Sequence, residues 1–459
     1  MRYGRRNDES IGAGRETMVR PFANAVLLLA LSSLPAWSQS PVPRPCPDKI
    51  GSDIACFTVQ DQNGAHVLIA RPANANGSLI VHTYGGPRMR KPNATMVDED
   101  LERFVETVRE GYAWVSTTRR RGGFGVTQGA EDADNARKIY VATFGQPKFT
   151  IAHGQSWGGN VAAILIEKFN APDASGRRPY DGAMLTSGVL AGGTRGYDMR
   201  MDVRAAFQAI CDVHPAPGAP AETLGTGLPD GSGITRQQVT GWFNDCTGAN
   251  KKPEERTEAQ QRALRDMAAA SRIPASALLA HIQWATFVFR DIADFITAGK
   301  SPFGNEQVVY RGTSDDEAFN RKVLRVRADP EAVRALATDS DPTGRIDIPV
   351  ITMHQIRDTT VFVEQQHEYR RVVEAAGNGA RLFQIFVDDH QHSKTSPPHY
   401  PAILKALQSW IETGTRPTMP AVQSACEAAR PIYGGECRFV ADYAPQQWYE
   451  RVNPRTGQR

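Results

Sequence analysis

The segment Gly154-Gln155-Ser156-Trp157-Gly158-Gly159 constrains this chain more than any other. An apolar β-type run at 148–153 precedes it, and a helix-forming run at 161–169 follows it. A Gly-x-Ser-x-Gly turn between a strand and a helix holds its serine on a sharp, strained corner. Glycine is needed on either side because side chains there would collide with the neighbouring strand and helix. The hydroxyl then stands above the sheet, and the first N–H groups of the helix face a developing anion. The string alone is short enough to recur by chance; its place between strand and helix gives it weight.

The flanking chain supplies that setting. Short β-type runs at 55–59 and 66–70 are joined by Asp61-Gln62-Asn63-Gly64, a hairpin turn. A third run, 78–82, enters the turn Tyr84-Gly85-Gly86-Pro87. Helical spacing at 98–111, a strand at 112–116 and a helix at 131–144 lead to the elbow, and 182–188 is strand-like again. Strands and helices alternate here at the spacing of parallel βαβ units, which predicts an α/β fold. The alternation stops across 193–348, where a Gly/Pro-rich segment at 215–233 gives way to helical stretches at 257–270 and 275–295. That is longer than a loop should be and reads as an inserted, mainly helical cap. Strand character returns at 349–353 and 381–387, each followed by a helix, at 364–376 and 402–413. The expected division is a core of 39–192 and 349–415, a cap of 193–348, and a disulfide-stapled tail of 416–459.

Residues 1–38 read as an export signal: Arg20, then an apolar run from Phe22 to Leu31, then small residues ending at Ser38. Residues 1–17 look like a misassigned start, since Met18 gives a more typical signal length. The apolar run is too short to span a bilayer, so no stable membrane insertion is expected after cleavage. Without residues 1–38 the basic and acidic side chains balance to within one charge, so nothing points to nucleic acid as partner. The six cysteines suit an oxidising compartment, secreted or periplasmic. Closing the least chain pairs Cys46 with Cys56, Cys211 with Cys246, and Cys426 with Cys437.

A serine is a weak nucleophile until a histidine removes its proton and a carboxylate orients that histidine. On such a sheet the acid and base follow the serine in chain order, on loops at the carboxyl ends of later strands. The strand at 349–353 leads to Asp358, and the strand at 381–387 leads to Asp388-Asp389-His390-Gln391-His392. Ser156, Asp358 and either His392 or His390 are therefore the expected catalytic set. Asp388 and Asp389 read as turn formers. A metal site built from Asp388, Asp389, His390, His392 and His399 is the weaker reading beside a complete triad, so no metal is assigned. The oxyanion donors expected are the Trp157 N–H and a group of the turn after the third strand: a backbone N–H of Thr83 or Tyr84, or the Tyr84 hydroxyl. His82, His153 and His354, at strand ends, read as scaffold.

From residue 56 to 413 the chain resembles the α/β-hydrolase superfamily. The resemblance rests on the elbow, on Phe144-Gly145-Gln146-Pro147 before it, on Tyr180-Asp181-Gly182-Ala183 after it, and on residues 343–350 and 406–414. It implies a mostly parallel central sheet flanked by helices. Relatives with Gly-His at the base position align that histidine with His392, Gln391 replacing the glycine. Tannase-like and feruloyl-esterase-like members share the large cap and the disulfides. Tyr84-Gly85-Gly86-Pro87 matches prolyl-oligopeptidase relatives, and the elbow is similar to that of prolyl iminopeptidases. The expectation is an exported serine hydrolase without a cofactor, acting on a small ester. A serine exopeptidase with the same triad is the alternative, and a non-catalytic binding module the remote one.

Overall fold

Nine strands form one sheet in the order β1-β2-β3-β5-β4-β6-β7-β8-β9. They are β1 (Val42–Arg44), β2 (Ile54–Gln60), β3 (His66–Pro72), β4 (Leu79–Thr83), β5 (Ala113–Thr117), β6 (Thr150–Gln155), β7 (Gly182–Thr186), β8 (Val350–Gln355) and β9 (Leu382–Val387). The structure, a computed structural model, describes residues 40–213 and 220–455. The stretch 1–38, read above as an export signal, lies outside the described residues. Pairing is antiparallel from β1 through β3 to β5 and parallel from β5 through β4 to β9. A crossover sets β4 between β5 and β6, so strand order, directions and flanking helices make this the α/β-hydrolase fold.

The pleat divides strands β2 to β9 between two cores. In β4, Leu79 and Val81 face the helices Val126–Phe144 and Trp157–Lys168, whereas Ile80 joins Trp114, Phe104 and the helix His399–Thr413 on the opposite face. Polar groups are also buried there. His82 and His153 stand Nδ1 to Nδ1 at 3.1 Å, His82 is stacked on Trp114, and Phe104 meets both imidazoles.

Differences from the sequence reading have local causes. β1 lies in the proline-rich leader; as an edge strand it can hold Pro43 without losing a ladder bond inside the sheet. The helical spacing at 98–111 is two short helices, Asp98–Arg103 and Val105–Arg109, because Phe104 leaves helical geometry where its ring packs into the aromatic cluster. Between β7 and β8 the described residues hold helices and no strand, the longer ones being Met199–Cys211, Arg236–Thr247, Glu258–Ser271 and Pro330–Ser340. The run at 275–295 passes through a π turn, Trp284–Val288. The wider turn resets the helix phase, so Trp284 and Phe287 meet the guanidiniums of Arg200 and Arg236 while Val288 and Phe289 enter the core.

Disulfides join Cys46–Cys56, Cys211–Cys246 and Cys426–Cys437. The chain after Arg416 forms the helix Met419–Tyr433 and then covers the open edge of β9, with Val440 N–H donating to Phe386 O and Asp388 N–H to Arg438 O. Further on, Trp448 is buried, and Arg455 donates to the Asp202 carboxylate and to Asp198 O on the insertion. No helix among the described residues is long and apolar enough to cross a membrane.

Burial holds His82 and His153 below the ordinary histidine value, His153 far below, and brings His281 down to about 3 and His399 to about 4. In the unfolded chain His281 and His399 titrate near the ordinary value, so between pH 6.5 and about 4 the unfolded state binds the extra protons of these two. Stability is then lost as pH falls through that window, by about 1.4 kcal/mol per pH unit per histidine. Urea midpoints measured from pH 7.5 down to 4.5 should show this slope, and His281→Gln should reduce it by about one proton.

Candidate active site

β6 ends at Gln155 and the helix Trp157–Lys168 begins two residues later, leaving Ser156 to make the corner alone. Its backbone sits at φ 58°, ψ −125°, a strained region for a residue with a side chain. Hydrogen bonds hold it there: Ser156 N–H donates to Thr186 O at 2.9 Å, and its carbonyl accepts from Gly159 N at 2.9 Å and Val189 N at 3.0 Å. The glycines are required by space. A Cβ on Gly154 would lie 2.2 Å from Gly158 O, and one on Gly158 would lie 2.0 Å from Thr83 O and 2.6 Å from Tyr84 O. The obstacle at Gly158 is thus the turn after β4.

The loops after β8 and β9 bring two side chains to the serine. His392 Nε2 is 2.7 Å from Ser156 Oγ, and His392 Nδ1 is 2.6 Å from Asp358 Oδ2. A carboxylate only accepts, so Nδ1 carries the proton and Nε2 is left to accept from the serine hydroxyl. Asp358 is buried, and its other oxygen accepts from Thr360 N at 2.8 Å and Val361 N at 3.1 Å. Burial alone would push its carboxyl up. Electrostatic attraction and hydrogen bonding from His392 and His354 together outweigh burial and hold it well below the usual carboxylate range. His354 is scaffold: its Nε2 donates to Val361 O at 2.8 Å and its Nδ1 accepts from Gln366 at 3.0 Å.

His390 does not join this group. Its side chain is 74 % exposed, and Asp389 Oδ1 turns the loop by accepting from His390 N at 2.7 Å and Gln391 N at 3.0 Å. Asp388 pairs with Arg357 at the surface, and buried His399 accepts from Arg438 N through Nε2. Among the described residues no cluster of three His, Cys, Asp or Glu side chains is arranged to hold a metal ion.

Trp157 is the first residue of its helix, so its N–H has no partner within the helix. Thr83 Oγ1 donates to Gly158 O at 2.7 Å, tying β4 to the elbow. The Tyr84 hydroxyl donates to Thr118 O at 2.8 Å in a buried setting, so its proton is already committed there. The turn's backbone comes close instead: a Cβ on Gly85 would lie 3.2 Å from Ser156 Cβ.

Further residues around the site were not singled out in the sequence. Gln355, the last residue of β8, donates to Gln391 O at 2.7 Å and accepts from Ser187 Oγ at 2.7 Å, so it fixes the loop one residue before His392. A polar residue ending an apolar strand is the signal that could have marked it. Arg119 is buried beside Trp157. The run Arg119-Arg120-Arg121 reads as a solvated face and so hides it.

No protein-family model matches the sequence, and no curated protein matches it. Solved structures similar to the chain include feruloyl esterase B from Aspergillus oryzae, at 13 % identity over 82 % of this chain and 87 % of that one, TM-score 0.39. An esterase from Pyrococcus furiosus is similar at 12 % identity over 83 % of this chain and 97 % of that one, TM-score 0.39. An acylaminoacyl peptidase in complex with a chloromethyl ketone matches at 9 % identity over 84 % of this chain, TM-score 0.40, and the chain spans only 44 % of its length. At such identities and scores, what a neighbour acts on says nothing of the substrate here.

The glycine contacts give a direct test. Gly158→Ala should destabilise the protein by about 1–3 kcal/mol, because the methyl must displace the β4 turn. Thermal unfolding of the variant should show the loss, while Gly233→Ala, exposed, outside the left-handed region and with no heavy atom within 4 Å of the added methyl, serves as the surface control.

Proposed function

We propose that this chain is an exported serine hydrolase that cleaves a carboxylic ester through an acyl-enzyme, with Ser156 as nucleophile, His392 as base and Asp358 as the orienting carboxylate. The observation that carries the reading is the unbroken relay from Asp358 Oδ2 to His392 Nδ1 at 2.6 Å and from His392 Nε2 to Ser156 Oγ at 2.7 Å. Ser156 Oγ attacks the acyl carbon as its proton passes to His392 Nε2. The imidazolium is stabilised by Asp358 and then protonates the departing alkoxide. The Trp157 N–H and a backbone N–H of the turn at Thr83, Tyr84 and Gly85 receive the negative charge on the former carbonyl oxygen. Water enters by the same steps and releases the acid. This chemistry asks for no cofactor.

Residues 193–348 are assigned as the cap that shapes the substrate site. Export is supported by the leader at 1–38 and by the disulfides, which persist in oxidising compartments. The exopeptidase alternative is less well supported. An aminopeptidase needs an anion to receive the substrate's ammonium group, whereas the charged group packed on Trp157 is the guanidinium of Arg119.

A fluorophosphonate probe should label the wild type and spare Ser156→Ala; an unlabelled wild type would favour the non-catalytic module. His392→Ala should lower kcat by about 10⁴-fold or more, Asp358→Asn by about 10⁴-fold, and His390→Ala by less than about threefold. The reverse order for the two histidines would overturn the assignment of the base. Turnover of p-nitrophenyl esters with none of aminoacyl or prolyl anilides is expected, and the opposite preference would move the reading to a peptidase.

A further inference from the structure

The strongest unexplained feature beside the proposed site is a buried cation. Arg119 lies two residues beyond the end of β5 and sits at φ 64°, in the left-handed region, which turns its side chain inward beneath the turn after β4. It is only 4 % exposed. Its neighbours in the arginine run are paired, Arg120 with Glu131 and Asp132, and Arg121 with Asp291. Arg119 has no carboxylate within ion-pair distance among the described residues, and its Nε has no hydrogen-bond partner there. Burying an unpaired charge costs several kcal/mol, so its retention calls for a reason.

Its contacts supply one. The guanidinium carbon lies 4.0 Å from the ring centre of Tyr84 and 4.2 Å from that of Trp157, so the cation is in contact with both rings. Nη2 donates to Gly86 O at 3.1 Å and Nη1 to Gly123 O at 3.3 Å. The preceding residue grips the same turn, since Thr118 O accepts the Tyr84 hydroxyl at 2.8 Å. Space is kept for the side chain: a Cβ on Gly129 would lie 3.1 Å from Arg119 Cδ and 3.4 Å from the Trp157 ring. One guanidinium thus touches both segments that would carry the oxyanion donors, the turn at 84–86 and the residue after the serine.

We propose that Arg119 is the positioning residue of the oxyanion hole: it locks the turn Tyr84-Gly85-Gly86 against Trp157, so that the two backbone donors keep their spacing as charge develops on the substrate oxygen. The inference rests on the serine-hydrolase reading. Two donors in a water-poor site are effective only if their separation is set before the reaction, and a planar fork stacked on two rings sets it in a way that a flexible ammonium does not. The guanidinium also places a fixed positive charge behind those donors.

The test compares Arg119→Met and Arg119→Lys with wild type on a p-nitrophenyl ester that the wild type hydrolyses. It measures kcat, KM, thermal stability and affinity for an alkyl boronic acid, whose tetrahedral adduct on serine puts an oxygen in the hole. Arg119→Met should lose about 10²-fold in kcat with KM changed by less than about threefold, and boronate affinity should fall in step with kcat/KM. Arg119→Lys should recover only a small part. Should Arg119→Met not fold, Trp157→Leu decides, because it keeps the backbone N–H and the cation but removes one ring from the contact; it should show the same kcat and boronate losses. A folded Arg119→Met with kcat within about threefold of wild type, or a lowered melting temperature with unchanged boronate affinity, would overturn the proposal and leave Arg119 a structural cation. Normal kinetics in Trp157→Leu would overturn it likewise. Fluorophosphonate labelling keeps the two readings apart: an unlabelled wild type defeats the hydrolase reading itself, whereas a labelled wild type with unimpaired Arg119 variants defeats only this one.

Discussion

Gly158 approaches the carbonyls of Thr83 and Tyr84 so closely that only a hydrogen atom fits between them. That contact sets the distance between the turn after β4 and the helix after β6, and much of the site depends on it. With any side chain at 158 the turn would retreat, the Thr83 hydroxyl would lose Gly158 O, and Gly85 would leave the serine. The strained corner at Ser156 survives because its neighbours over-determine it: β7 takes its N–H, while Gly159 and Val189 take its carbonyl. Strain and close packing therefore act together, and the serine Oγ has one direction available.

The later strands complete the group by a different means. β6, β8 and β9 are parallel or joined by parallel neighbours, so their carboxyl ends lie at one edge of the sheet and their loops meet there. Backbone donors at Thr360 and Val361 hold Asp358 in place, and His392 and His354 beside it keep it ionised despite burial. The loop after β9 is shaped by Asp389, which turns it, and by Gln355, which holds Gln391 O. Those two polar anchors are what direct His392 inward and leave His390 in solvent.

Much of the fold was legible because its strands are apolar runs buried on both faces. β2, β3 and β5 to β9 fall within about two residues of the runs read from the sequence, and β4 is offset by one. β1 was not legible, since three residues bounded by proline carry no periodic signal. The spacing at 98–111 is helical, yet no local rule could show that Phe104 breaks it to reach His82, Trp114 and Tyr400 on other segments. Ser156, Asp358 and the pair His390 and His392 were legible as candidates through their order after successive strands. The choice within the pair was not, because two residues on an irregular loop differ only in what the rest of the fold offers them.

The sequence by itself determined the elbow, the alternation of strands and helices that makes a parallel sheet possible, and the chain order of serine, acid and histidine, because these are properties of short segments and of connectivity. Only the tertiary structure decided that His392 and not His390 reaches Ser156 and that the Tyr84 hydroxyl belongs to Thr118. The same holds for Arg119, which leaves its charged neighbours to lie against Tyr84 and Trp157. Each of these depends on side chains far apart in the chain competing for one small space, and such competition is settled by packing distances of a few tenths of an ångström.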